Sequence, residues 1–156
     1  RLAGADVAVA TDPLAHRAEA ARALGATNAL QVRRAGAEIL PSRLRSGLEV
    51  AFDVAGDDDA VATAIDTLRP GGLLVLVGIP TGDRTSFVAS AARRKELTIA
   101  LCRRMRRRDL VRAIALARRG DVELASLVTE RFPLERGAEA FAALASRRGL
   151  KVVVEP

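Results

Sequence analysis

Asp12 closes the short apolar run Ala5-Asp-Val-Ala-Val-Ala-Thr11, and Arg17 follows five residues later. A carboxylate at the carboxyl end of a parallel strand can accept hydrogen bonds from ribose hydroxyls and repel a 2′-phosphate. An arginine in the next turn reaches the same sugar edge. Asp12 can equally be no more than the N-cap of a helix opened by Pro13. A second group is Val77-Gly78-Ile79, which ends Leu68-Arg-Pro-Gly-Gly-Leu-Leu-Val-Leu-Val-Gly-Ile-Pro80. A strand with no polar alternation is expected to be buried on both faces, as in a parallel sheet covered by helices. Ligands of such sheets sit just beyond the carboxyl ends of the strands, here at Val77-Gly78-Ile79.

Other chemistry is poorly supplied. One histidine, His16, and one cysteine, Cys102, stand far apart in sequence with no partner at ligand spacing, so no metal ligand is expected from this chain. His16 is expected on the solvent side of its helix. Ser86 and Ser90 have no histidine nearby, and Asp57-Asp58-Asp59 reads as a capping cluster, so no catalytic residue is assigned. The glycine fingerprint G-x-G-x-x-G, whose helix N-terminus binds pyrophosphate, is absent from these residues. If Ala5–Thr11 is the second strand of a dinucleotide-binding sheet, the first strand and its glycine turn are expected upstream of Arg1. The chain also opens without Met, in what reads as the end of a helix, which suggests a piece of something larger.

Strands and helices must alternate to position these residues. Asp12-Pro13 opens a helix to Leu24, with Leu14, Ala18, Ala21 and Leu24 at helical spacing and Gly25 as its stop. Ala29–Val32 reads as a strand. A helix near Ala35–Arg45 would be broken or restarted by Pro41. Leu48–Val54 is a third strand, and Asp57 or Asp58 caps a helix with the stripe Ala60, Val61, Ala64, Ile65, Leu68. Leu73–Val77 follows, then a short helix near 87–93 and the strand Leu97–Leu101. Asp109 is expected to cap a helix through Arg119 with Leu110, Ile114 and Ala117 on one face, stopped by Gly120. Val128–Phe132, a helix over Glu135–Ser146 and the strand Leu150–Glu155 complete the chain. This alternation gives an α/β fold with a parallel sheet.

The chain has 156 residues, 49% of them hydrophobic in short runs, and a net charge of +6. That is enough for a core, while no run approaches the roughly 18 apolar residues of a membrane span. Lys95 and Lys151 are the only lysines among the cations, and Trp and Tyr are absent. The Arg-dominated charge, densest at Arg103-Arg104-Met105-Arg106-Arg107-Arg108, lacks the aromatic platforms of a nucleic-acid surface, so nucleic acid is not the expected partner. A lone cysteine excludes an internal disulfide.

Taken in order, these features resemble the medium-chain dehydrogenase/reductase superfamily, in its zinc-dependent sorbitol/threonine dehydrogenase branch. Asp6–Pro13 through Arg17 with Ala20-Ala-Arg-Ala-Leu-Gly-Ala26 is similar to that family's second strand and helix. Val50-Ala-Phe-Asp-Val-Ala-Gly56, Leu68–Ile79 and Lys95-Glu-Leu-Thr-Ile99 are similar to its fourth, fifth and sixth strands. Leu127–Glu135, Ala138-Glu-Ala-Phe141 and Lys151–Val154 are similar to its C-terminal tail.

The resemblance implies a Rossmann-like doubly wound parallel sheet truncated at its N-terminus. Residues 1–125 would be a partial dinucleotide-binding domain. Residues 126–156 would be a helix and strand returning towards a catalytic domain outside these residues. It implies a cytoplasmic NAD-dependent oxidoreductase acting on a small-molecule alcohol or polyol, with zinc held by the N-terminal domain and not by this chain. Asp12 and Arg17 would hold the adenosine ribose, Val77, Gly78 and Ile79 would line the nicotinamide, and Cys102, Arg103 and Arg104 would follow beside it. The family commonly has an aromatic residue at the position of Arg103, and an aromatic and an Asn after Arg104. The extra arginines here point away from a plain polyol towards an anionic or unusual substrate. The resemblance further implies a homo-oligomer, dimer or tetramer, joined near Leu97–Leu101. This chain alone is expected to be inactive and marginally stable. An S-adenosylmethionine-dependent methyltransferase, which also uses Leu-Arg-Pro-Gly-Gly-like turns, and a basic nucleic-acid-binding module are the alternatives.

Overall fold

Strands and helices alternate as their apolar spacing requires, and every strand pair is parallel. The computed structural model describes residues 2–156, and of Arg43 the backbone only. Two compact units divide it: Asp6–Arg104, and Met105–Pro156 with the described residues ahead of Asp6.

The first unit contains two ladders. Strand β1 (Val9–Asp12) pairs with β2 (Asn28–Gln31) across helix α1 (Ala15–Ala23). Strands β3 (Leu48–Asp53), β4 (Leu68–Leu76) and β5 (Thr98–Leu101) form a sheet in the order β3-β4-β5, linked by α2 (Asp58–Thr67) and α3 (Ala89–Arg94). Among the described residues β1 and β3 are not hydrogen-bonded to each other, so each keeps an open edge, and β5 is the outer edge of its sheet as expected. The expected helix over 35–45 is instead two single 3₁₀ turns, Ala37–Ile39 and Ser42–Leu44, separated at Pro41. Proline lacks the N–H that a continuous helix would use there.

The core lies where α2 and α3 cover the second sheet. Val61, Ala64, Ile65, Leu68, Leu74 and Ala92 are buried together, with Val61, Leu68 and Leu74 essentially sealed from water. Burying such side chains contributes about 1.5–3 kcal/mol each. The α2 stripe read from spacing is thus the stripe that packs. Asp57 caps the helix, its Oδ1 accepting from the Ala60 N–H at 2.7 Å. Its far end is held by Lys95, whose Nζ donates to the carbonyls of Ile65, Asp66 and Leu68 at 2.8, 2.8 and 2.7 Å. A cation there satisfies carbonyls the helix cannot and lies at the negative end of the helix dipole.

Burial on both faces, expected for the β4 run, is only half met. Leu74 on the helix-covered face is sealed, whereas Val50, Phe52, Val54 and Val77, on the opposite face by strand alternation, are exposed.

The N-cap expected of Asp12 is also displaced. Asp12 is still in the ladder, opposite Gln31, so the helix starts only at Ala15. Its Oδ1 accepts instead from the Leu14 N–H at 2.9 Å, a side-chain turn that bends the chain out of the strand.

In the second unit α4 (Arg107–Arg118) precedes β6 (Val128–Pro133), α5 (Gly137–Ala145) and β7 (Lys151–Glu155), and β6 pairs with β7. Asp109 is in the first turn of α4 rather than its N-cap: its Oδ2 accepts from the Arg106 N–H at 2.9 Å, closing the helix start from inside. The apolar face predicted for α4 exists but is not buried, since Leu110, Val111 and Ile114 are exposed. No helix among the described residues is long and apolar enough to cross a membrane.

Candidate functional site

The carboxyl ends of β3, β4 and β5 lie side by side because the three strands are parallel and in register: Asp53 faces Leu76, and Leu76 faces Leu101. The register continues past the strands. The Cys102 N–H donates to the Leu76 carbonyl at 2.9 Å, which brings the Cys102-Arg103-Arg104 segment alongside Val77-Gly78-Ile79. The two groups singled out from the sequence are therefore brought together. Cys102 is an exposed free thiol, and Arg103 and Arg104 are exposed. Arg104 takes a left-handed backbone, φ +52°, which costs a residue with a Cβ on the order of 1–2 kcal/mol. Ile79 is 90% exposed and Val77 39%, so the strand ends present apolar side chains beside cationic ones.

Asp53 organises this end and was missed by sequence reasoning. It is buried, 4% exposed, at the last position of β3. Its Oδ1 accepts the N–H groups of Ala55 and Gly56 at 3.0 and 3.1 Å, and its backbone carbonyl accepts those of Val77 and Gly78 at 2.8 and 3.0 Å. One residue thus fastens the exits of β3 and β4 to each other. The available signal was a carboxylate inside the otherwise apolar Val50–Val54 run, three residues before a glycine. The two glycines touch backbone to backbone: a Cβ on Gly78 would stand 2.2 Å from the Gly56 nitrogen, and one on Gly56 would stand 2.6 Å from the Ile79 carbonyl oxygen. No side chain fits between the two turns, so the backbone of Gly56 and Gly78 forms a close-packed ledge flanked by the exposed side chains of Val77 and Ile79. Such a ledge suits the close approach of a flat ring to backbone.

Asp12 and Arg17 belong to the other ladder. Asp12 is half-buried at the end of β1, and Arg17 is half-buried in α1. No β1–β3 hydrogen bonding joins this pair to the Val77 and Arg103 groups among the described residues. His16, expected on the solvent side, is half-buried instead, with Nε2 shielded and lacking a hydrogen-bond partner among the described residues. It lies two residues before Ala18, the buried residue of α1. Among the described residues no group of three or more His, Cys, Asp or Glu side chains stands close enough to hold a metal ion, so the donors of a zinc site are not found here.

Residues 1–119 match the family model for zinc-binding dehydrogenases. The chain is 29% identical to L-threonine 3-dehydrogenase of Saccharopolyspora erythraea over 99% of its own length and 46% of that protein's. It is 30% identical to human sorbitol dehydrogenase, over 97% and 43%. Its fold superposes on alcohol dehydrogenase TADH from Thermus sp. ATN1 with a TM-score of 0.86 at 22% identity, covering 97% of this chain and 44% of that one. The chain therefore spans less than half the length of these relatives, and its α/β fold is that of their Rossmann-like, dinucleotide-binding domain. Neither a methyltransferase nor a nucleic-acid-binding module finds support among them. A parallel α/β sheet with its candidate residues at the carboxyl strand ends, matched over residues 1–119 to this family model, belongs to the zinc-binding dehydrogenase family.

Proposed function

We propose that this chain is the cofactor-binding portion of an NAD-dependent, zinc-type alcohol or polyol dehydrogenase, which moves a hydride between a secondary alcohol and NAD. The observation that carries this reading is the shared carboxyl end of β4 and β5. There the Val77-Gly78-Ile79 ledge, the Asp53-tied glycine turns and the Cys102–Arg104 segment adjoin one another. NAD, when bound, supplies the hydride acceptor. Val77, Gly78 and Ile79 line one side of its nicotinamide, and Cys102, Arg103 and Arg104 follow beside it. Asp12 and Arg17 hold the adenosine ribose, with Asp12 favouring NAD over NADP by its charge.

In the whole protein, residues 126–156 return towards a catalytic domain that carries the zinc. The open edge at β5 joins a second copy in a dimer or tetramer, because an uncovered strand edge invites pairing. The expected compartment is the cytoplasm. Arg103 and the arginines after it favour a substrate more acidic than a plain polyol.

Steady-state kinetics of the full-length protein with a panel of secondary alcohols, polyols and hydroxy acids tests the reading. It predicts alcohol-dependent NADH formation with a higher kcat/KM for NAD than for NADP. A full-length protein that forms no NADH with any of them and shows no calorimetric heat with NAD overturns it. A higher kcat/KM with NADP would remove Asp12 from the role given to it. Light scattering that finds a monomer at micromolar concentration would remove the β5 interface.

A further inference from the structure

Two guanidiniums leave the carboxyl end of β5 with no acid to balance them. The strand ends at Leu101, and the Cys102 N–H donates to the Leu76 carbonyl at 2.9 Å, so Arg103 and Arg104 emerge beside Val77-Gly78-Ile79. Adjacent parallel strands lie about 4.8 Å apart, which starts the Cys102–Arg104 segment one strand spacing from the ledge. Arg104 turns the chain there with its left-handed backbone, φ +52°. Both arginines are exposed, and among the described residues neither forms an ion pair.

The nearby acids are committed elsewhere. Asp53, two strands away, is 4% exposed, and its Oδ1 accepts the Ala55 and Gly56 N–H groups. Asp109, the next acid along the chain, accepts the Arg106 N–H through Oδ2 and pairs with Arg108 at 3.8 Å. Glu96 precedes β5 at its amino end, and Asp83, in the loop beyond Ile79, pairs with neither arginine. The imbalance grows when an oxidised nicotinamide ring, itself cationic, is bound. Like charges repel most where water is displaced, so an anion entering here relieves the site. Guanidinium holds carboxylate and phosphate alike through paired, charge-assisted hydrogen bonds.

We propose that Arg103 and Arg104 form an anion subsite for the substrate, so that the preferred substrate is a secondary alcohol carrying a carboxylate or phosphate near its carbinol carbon. This deepens the dehydrogenase reading and rests on the assignment of Val77–Ile79 to the nicotinamide. The two arginines set substrate choice: a neutral polyol lacks the group that balances them.

Matched pairs test this in the full-length protein: lactate against 1,2-propanediol, 3-hydroxybutyrate against 1,3-butanediol, and glycerol 3-phosphate against glycerol. Their kcat/KM values are compared in the parent protein and in R103Q/R104Q and R103K/R104K. Malonate and inorganic phosphate are titrated calorimetrically into each protein loaded with NAD or with NADH. The expected result is a higher kcat/KM for the anionic member of at least one pair. A preference within the hydroxy acids assigns a carboxylate, and one within the glycerol pair a phosphate. In R103Q/R104Q that preference falls roughly tenfold or more, as loss of hydrogen bonds to a charged group implies, and R103K/R104K recovers part of it. The corresponding anion binds the NAD complex more tightly than the NADH complex, and added salt weakens it. NADH formation that favours the neutral members, or an anionic preference unchanged in R103Q/R104Q, overturns the subsite and leaves the dehydrogenase reading standing. So does an NAD complex that takes up neither malonate nor phosphate. A protein that neither forms NADH with any of these alcohols nor binds NAD overturns both.

Discussion

The β1-α1-β2 region and the β3-α2-β4-α3-β5 region are made by the same alternation of strand and helix, yet they are held together differently. In the second, α2 turns Val61, Ala64 and Ile65 onto Leu74, with Leu68 just past its end in the same cluster, and polar ties from Asp53, Asp57 and Lys95 finish the ends. In the first, α1 buries only Ala18 and lacks a side-chain N-cap. Its cohesion comes from small residues, Ala18 and Ala29, and from ties such as Arg22 Nη2 to the Ala29 carbonyl at 2.6 Å. Small side chains bury little apolar area, so less free energy is available there. The tightly packed region carries the residues proposed to line the nicotinamide, where placement of the reacting atoms matters most. The looser one carries the residues proposed to hold the ribose, where a recognition contact tolerates more play.

The largest expected effect breaks the tight region. Leu74→Ala removes a sealed side chain and should cost about 4 kcal/mol, against about 1 kcal/mol for Leu30→Ala in β2. Urea unfolding of the full-length protein measures both, and equal losses would erase the contrast. Next is Gly78→Ala, whose Cβ meets backbone at 2.2 Å. It should destabilise by about 3 kcal/mol and raise the KM for NAD. A variant with unchanged cofactor affinity would show that the ledge is not where the ring lies.

Lys95→Met keeps the aliphatic stem but removes three donors, and about 2 kcal/mol of stability should go with them. The loss should appear in thermal unfolding and should persist at high salt, since these bonds are partly buried.

The smallest effect is expected at Glu38, in the 3₁₀ turn between the two regions. The Gly36 N–H holds its carboxyl below the usual carboxylate range. A depressed folded-state value stabilises above the ordinary carboxyl pKa, and that contribution disappears as pH falls through the lowered one. NMR titration should therefore place Glu38 below ordinary glutamates, while E38Q leaves the unfolding midpoint unmoved because the group is fully exposed.

Local rules made much of this legible. The α2 stripe, its Asp57 cap, the break at Pro41 and the parallel order of β3, β4 and β5 follow from spacing and turn chemistry. The meeting of Val77–Ile79 with Cys102–Arg104 follows once the strands are parallel neighbours. Three features were not legible. Asp12 reads identically as a strand end and as a helix cap until β2 is seen to hold it in the ladder. The faces of β3–β4 and α4 left in water cannot be told from a core by periodicity, which records that a face is apolar and not what meets it. Asp53 escaped notice because its role depends on a neighbouring strand far along the sequence.

Lys95 also closes a circuit. Its ammonium grips the carbonyls at the end of α2, and its own carbonyl accepts the Gly71 N–H at 2.7 Å, within the first half of β4. The α2–β4 turn and the α3–β5 turn therefore cannot open separately. In native-state hydrogen exchange the amides of Gly71 and of the β4–β5 ladder should be released in a single sub-global opening with one common free energy, while the β1–β2 amides exchange earlier and independently.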